Sequence, residues 1–70
     1  MMTTEYRPTL EDAEKCARTL ANCIKQQVLV YRKRGDEQYA ISSRKDFYAN
    51  APSSPAERRA EYTIYRVFIR

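Results

Sequence analysis

Histidine and tryptophan are absent from this 70-residue chain, and glycine occurs once. The lack of histidine removes the commonest general base and the commonest metal ligand. A single glycine rules out glycine-rich phosphate loops. Cysteine occurs twice, at Cys16 and Cys23. On one helix two residues seven apart share a face but lie about 10.5 Å apart along the axis. That is too far for a disulfide, and two thiols without histidine make no zinc site within one chain. Both cysteines therefore read as small, partly buried apolar residues. No Cys–His or Ser–His pair is available to activate a nucleophile, and adjacent carboxylates occur only in solvated stretches such as Asp36-Glu37. The expectation is a protein that is not an enzyme and that uses no cofactor and no metal.

Long apolar runs are also missing, so no membrane-spanning segment is expected. Residues 1–8 are polar and carry Glu5 and Arg7 rather than a basic start followed by an apolar stretch. A cytoplasmic setting is the default.

The residues that are present suit one small folded domain. The hydrophobic fraction is 43% and the charged fraction 31%. A domain this short buries only about 60% of the surface its unfolded chain exposes, so its core is thin. Thirteen Lys and Arg against nine Asp and Glu give a net charge of +4. In residues 1–30, Arg7, Lys15, Arg18 and Lys25 balance Glu5, Glu11, Asp12 and Glu14, so the whole excess belongs to residues 31–70. Such an excess aids solubility and can attract an acidic partner, nucleic acid included.

Local patterns predict an α+β fold. Thr9 is placed to cap a helix, with Glu11, Asp12 and Glu14 at the positive end of its dipole. Leu10, Ala13, Ala17, Leu20 and Ile24 follow helical spacing, widened by Cys16, Ala21 and Cys23, which predicts an amphipathic helix from Leu10 to about Gln26. Residues 28–32 are rich in β-branched and aromatic side chains and predict a strand. Gly35-Asp36 suits a two-residue turn, and 37–42 returns as a second strand. Counting outward pairs Arg34 with Glu37, Tyr31 with Ala40 and Val30 with Ile41. Val28, Val30, Tyr39 and Ile41 then share the core face, while Leu29, Tyr31, Lys33, Gln38, Ala40 and Ser42 share the other. Arg34-Gly35-Asp36 also spells the tripeptide that integrins recognise, but the turn explains it.

Ser43-Arg44-Lys45-Asp46 has capping-box spacing and predicts a helical turn or two ending before Pro52. Residues 50–57 read as a loop. Ser54-Pro55-Ala56-Glu57 has the order of a helix start, but residues 58–61 carry no apolar face. Residues 62–70 predict a third strand. Strict alternation sends Thr63, Tyr65, Val67 and Ile69 towards the helix and Tyr62, Ile64, Arg66, Phe68 and Arg70 away from it. The expected architecture is a two-layer sandwich, one N-terminal amphipathic helix on a three-stranded antiparallel sheet, with residues 1–8 as a short arm.

The sheet face away from the helix is then the candidate site. Leu29, Tyr31, Lys33, Tyr62, Ile64, Arg66 and Phe68 would lie there, an apolar set fringed by bases. A solvated face usually alternates to plain polar residues, and a contiguous apolar patch commonly marks an interaction surface. The expected function is a non-catalytic accessory protein that binds another protein through this face. Compact helpers encoded by mobile elements often look like this. A nucleic-acid-binding module is the alternative, because aromatics among Arg and Lys can stack bases and neutralise phosphates. A covering of this face by Phe47-Tyr48 is the competing structural account. The third strand is apolar on both faces, which favours self-association into a C2 homodimer.

Overall fold

The computed structural model describes residues 4–68. In chain order it contains β1 (Glu5–Arg7), α1 (Leu10–Ile24), β2 (Val28–Lys33), β3 (Tyr39–Ser43), α2 (Arg44–Asn50), α3 (Pro55–Glu61) and β4 (Tyr62–Phe68). The fold is α+β, with one long helix packed on an antiparallel sheet. That sheet has four strands in the order β1-β3-β2-β4. The fourth is β1, formed by part of the segment expected to be a short arm. Glu5 pairs with Ile41 and Arg7 with Tyr39, so the arm satisfies the outer edge of β3.

The long helix begins where its cap was expected. The Asp12 N–H donates to Thr9 Oγ1 at 3.2 Å, which satisfies one of the free donors of the first turn. It ends at Lys25, which adopts the left-handed conformation with φ 55° and donates its N–H to the Ala21 carbonyl. Ala13, Ala17 and Ala21 are buried against Val28, Val30 and Ile41, with Leu10, Cys16, Leu20, Tyr39 and Phe68 at the margin. Three alanines on one helix row leave no side-chain bulk, so the helix approaches the sheet closely. The contact is centred on Ala13 and Ala17 of the expected stripe and on Ala21 beside them, whereas Ile24 and Cys23 at its far end are exposed.

The hairpin has the expected register. Tyr31 pairs with Ala40, Val30 with Ile41 and Val28 with Ser43. Its tip differs. The Asp36 N–H donates to the Lys33 carbonyl at 3.0 Å, which puts Arg34 and Gly35 at the centre of the turn. Gly35, with φ +93°, occupies the second central position, where a type II turn needs a positive φ. Arg34 is not paired with Glu37. Its N–H donates to the Glu61 carbonyl at 2.6 Å, tying the hairpin to the start of β4.

The second helix starts as its spacing predicted, with the Asp46 N–H donating to Ser43 Oγ at 3.1 Å. It covers part of the sheet face that α1 leaves open. Phe47 is buried there with Leu29, Tyr31 and Ala40, and Ala51 and Tyr62 pack at the edge. The loop expected over 50–57 is confined to residues 51–54, because α3 forms from Pro55 without burying an apolar face. Proline at its start and Glu57 in its first turn favour it, and Arg58 and Arg59 complement its negative end. Arg58 also donates from Nη1 to the carbonyls of Pro52 and Ser53, both at 2.9 Å, which fastens the loop to the helix.

The last strand lies at an edge of the sheet, hydrogen-bonded to β2. Its register slips by one residue. Val28, Leu29 and Val30 pair with Phe68, Val67 and Arg66, whereas Tyr31, Arg32 and Lys33 pair with Ile64, Thr63 and Tyr62. Tyr65 is therefore the extra residue of a β-bulge. The expectations for Ile69 and Arg70 lie outside the described residues.

Candidate functional site

The bulge redistributes the residues proposed for the outer face. Directly paired residues share a face. Tyr62 and Ile64, opposite Lys33 and Tyr31, lie on the outer side as expected. Arg66 and Phe68 do not, because beyond Tyr65 the alternation has changed phase. They pair with Val30 and Val28 on the α1 side, where Phe68 joins the margin of the alanine cluster. Val67 is displaced the other way. It was expected to point inward, but it pairs with Leu29 on the outer side and is 46% exposed.

Two other members of the expected site are interior. Leu29 is 2% exposed and Tyr31 8%, beneath Phe47. The Tyr31 ring lies 4.7 Å from that of Phe47 and 5.7 Å from that of Tyr62, with tilted or edge-on geometry. Its hydroxyl is hydrogen-bonded to Ser42 Oγ at 3.2 Å, and Ser42 in turn donates to the Ser43 carbonyl. Burial raises the Tyr31 pKa, with neighbouring Tyr6 and Tyr62 acting in the same direction and hydrogen bonds to Ser42 and Thr4 acting against it. These contacts make Leu29 and Tyr31 parts of a second small core. Lys33 is exposed at its rim.

Two surface features remain. The first is the β4 edge. Ile64 and Val67 on the outer side and Tyr65 on the α1 side are all more than a third exposed, on a seven-residue strand with a single charge, Arg66. The opposite edge is built differently. β1 has three residues, and Arg7 Nη1 lies 3.3 Å from Glu5 Oε2 across Tyr6. A short, charged edge resists pairing with another chain, and a long apolar one invites it.

The second feature is a corner at α2 and α3, which brings the adjacent bases Arg44-Lys45 and Arg58-Arg59 together around Tyr48. The guanidinium carbons of Arg44 and Arg58 lie 5.2 and 5.0 Å from the centroid of the half-exposed Tyr48 ring. One open groove beside Tyr48 is lined by Gln26, Gln27, Arg44 and Lys45, and another by Phe47, Pro55, Arg58, Arg59, Tyr62 and Ile64. Neither lining contains a carboxylate. Among the described residues the ion pairs are Arg7–Glu5 and Lys15–Glu11, both in the balanced N-terminal part. The bases from Arg32 to Arg66 make none. Several instead lie over rings, as Arg32 does with Tyr39 and Tyr65 and Arg66 with Phe68.

Among the described residues, no group of three His, Cys, Asp or Glu side chains comes together to hold a metal ion, and no helix is long and apolar enough to cross a membrane. Comparison with protein-family models, curated proteins and solved structures gave no match.

Proposed function

We propose that the protein is a non-catalytic accessory protein that binds other polypeptides, and that β4 with its outer flank is the contact surface. The observation that carries this reading is the contrast at the sheet edges: β4 is long, nearly uncharged and exposes Ile64, Tyr65 and Val67, whereas β1 is short and ion-paired. Strand addition at such an edge draws affinity from main-chain hydrogen bonds and specificity from alternate side chains. The surface is narrower than the sequence suggested, since Leu29, Tyr31 and Phe68 support it from within. Tyr62, Ile64 and Val67 form its outer flank. The proposed setting is the cytoplasm, in keeping with two free thiols.

The test substitutes exposed positions only. A partner retained by the wild type should be lost by the Ile64→Asp, Val67→Asp double variant, and binding should slow amide exchange along β4. Equal retention by a folded double variant would refute the reading. Substituting Tyr31 or Phe68 would test folding instead.

A second reading, nucleic-acid binding, is favoured by the two base-lined grooves that meet at Tyr48. Over the Tyr48 ring, Arg44 keeps its guanidinium N–H groups for phosphate oxygens, whereas Arg58 commits Nη1 to the Pro52 and Ser53 carbonyls. Single-stranded oligonucleotide should then bind at low salt, with affinity falling steeply as salt rises. Lys45→Gln and Arg59→Gln should each flatten that dependence, whereas Lys15→Gln on α1 should not. Failure of any oligonucleotide to bind at low salt removes this reading and leaves the first intact.

A further inference from the structure

The bulge gives β4 a property that a regular strand lacks. From Tyr62 to Phe68 the side chains point outer, inner, outer, inner, inner, outer, inner. Tyr62 and Ile64 are outer through their pairing with Lys33 and Tyr31, and Val67 through Leu29. Thr63 pairs with Arg32, Arg66 with Val30 and Phe68 with Val28, all on the α1 side. The Tyr65 ring is there too, 5.3 Å from that of Tyr39. Read from the point between Tyr65 and Arg66, this pattern is the same in both directions. Tyr65 matches Arg66, Ile64 matches Val67, and Thr63 matches Phe68.

We infer that the polypeptide β4 accepts is a second copy of itself, paired antiparallel about a two-fold axis between Tyr65 and Arg66. The inference rests on the reading of β4 as the recognition strand and names its partner. Antiparallel neighbours must place opposed side chains on the same face. An ordinary strand alternates throughout, so it matches both halves of β4 only by leaving one residue unopposed, as β2 does at Tyr65. A bulge in mid-strand is one of the devices by which edges repel strangers. A second copy carries the same phase change at the same place, so every opposed pair agrees. Ile64 meets the partner's Val67 twice on the outer side, which covers the two most exposed aliphatic side chains of the strand. Arg66 meets the partner's Tyr65 rather than another arginine, so the lone charge of the edge finds a ring instead of a like charge. A two-fold axis makes the contact self-complementary and closes the assembly at two. The sheet becomes eight strands with a β1 at each end, and both remaining edges are the short, ion-paired ones. Self-pairing occupies the one open edge of β4, so another polypeptide that adds a strand there competes with the second copy.

The register is testable by cross-linking. Cys16→Ala and Cys23→Ser remove the native thiols without touching β4. In that background, chains carrying Ile64→Cys mixed with chains carrying Val67→Cys should form a disulfide-linked pair under mild oxidation. Either chain alone should not, because equivalent positions then sit three residues out of register, about 10 Å apart at strand rise. The wild type should sediment at micromolar concentration with about twice the 8.3 kDa chain mass. Ile64→Lys should return it to one chain mass with an unchanged circular-dichroism spectrum. A wild-type monomer at these concentrations would overturn self-pairing while leaving strand addition by other polypeptides to the retention assay. A dimer that cross-links through Ile64→Cys alone, or that survives Ile64→Lys, would place the contact elsewhere and overturn the proposed register.

Discussion

The two faces of the central hairpin are covered in opposite ways. On one side a fifteen-residue helix lays three alanines on Val28, Val30 and Ile41, so many small contacts share the load. On the other, a seven-residue helix inserts one phenylalanine between Leu29, Tyr31 and Ala40. The first arrangement tolerates little added volume, and the second depends on one large side chain. The difference also determines where the molecule can be approached. The alanine face is sealed over β2 and β3 by its helix, with Tyr65 left more than a third exposed at its β4 margin. The phenylalanine face is sealed only over its centre, leaving Ile64, Val67 and Tyr48 open beyond it.

The largest break in this contrast should come from Phe47→Ala. Removing a buried aromatic costs about 3–5 kcal/mol, a large part of the stability of so small a domain. Urea denaturation should show it, with loss of the ring-current shifts on Tyr31 and Tyr62. Ala17→Leu should break the other face by overpacking, at a cost of about 1–3 kcal/mol in the same measurement. Tyr31→Phe should cost less, about 0.5–1.5 kcal/mol for the lost Ser42 hydrogen bond.

Tyr31 also sharpens the contrast through pH. Burial raises its pKa in the folded protein above the ordinary value of 10.0. The unfolded chain therefore loses this proton first. The stabilisation is complete below about pH 10 and is lost as pH rises from there through the folded-state pKa. Denaturation midpoints taken across the alkaline range should fall for the wild type and less for Tyr31→Phe. The smallest effect should be a gain. Lys25 holds a left-handed conformation that glycine adopts without strain, so Lys25→Gly should raise thermal stability by up to about 1 kcal/mol.

Several elements were legible because their signals are local. The Thr9 cap and the apolar spacing behind it predicted α1, and Ser43 with Asp46 predicted α2, since a cap needs only a side-chain oxygen within reach of an N–H three residues on. The hairpin register came out as counted from Gly35-Asp36, although the turn itself is centred on Arg34 and Gly35. The β4 bulge left no comparable mark. Its residues are apolar or aromatic on both sides, so no polar position shows the phase of alternation, and glycine is absent where a bulge would often be signalled. That is why Arg66, Phe68 and Val67 were placed on the wrong sides, while Tyr62 and Ile64, before the slip, were placed correctly.

The sequence by itself determined the starts of α1 and α2, the hairpin pairing, the α+β class and the confinement of the charge excess to residues 31–70, because each depends on neighbours along the chain or on counting. Tertiary structure alone decided that the first residues become β1, that β4 sits at the opposite edge, that Phe47 buries Leu29 and Tyr31, and that Arg44 and Arg58 meet at Tyr48. Those outcomes depend on which segments compete for the same hydrogen-bonding edge and the same apolar area. That competition is settled between residues far apart in the chain, where spacing carries no information.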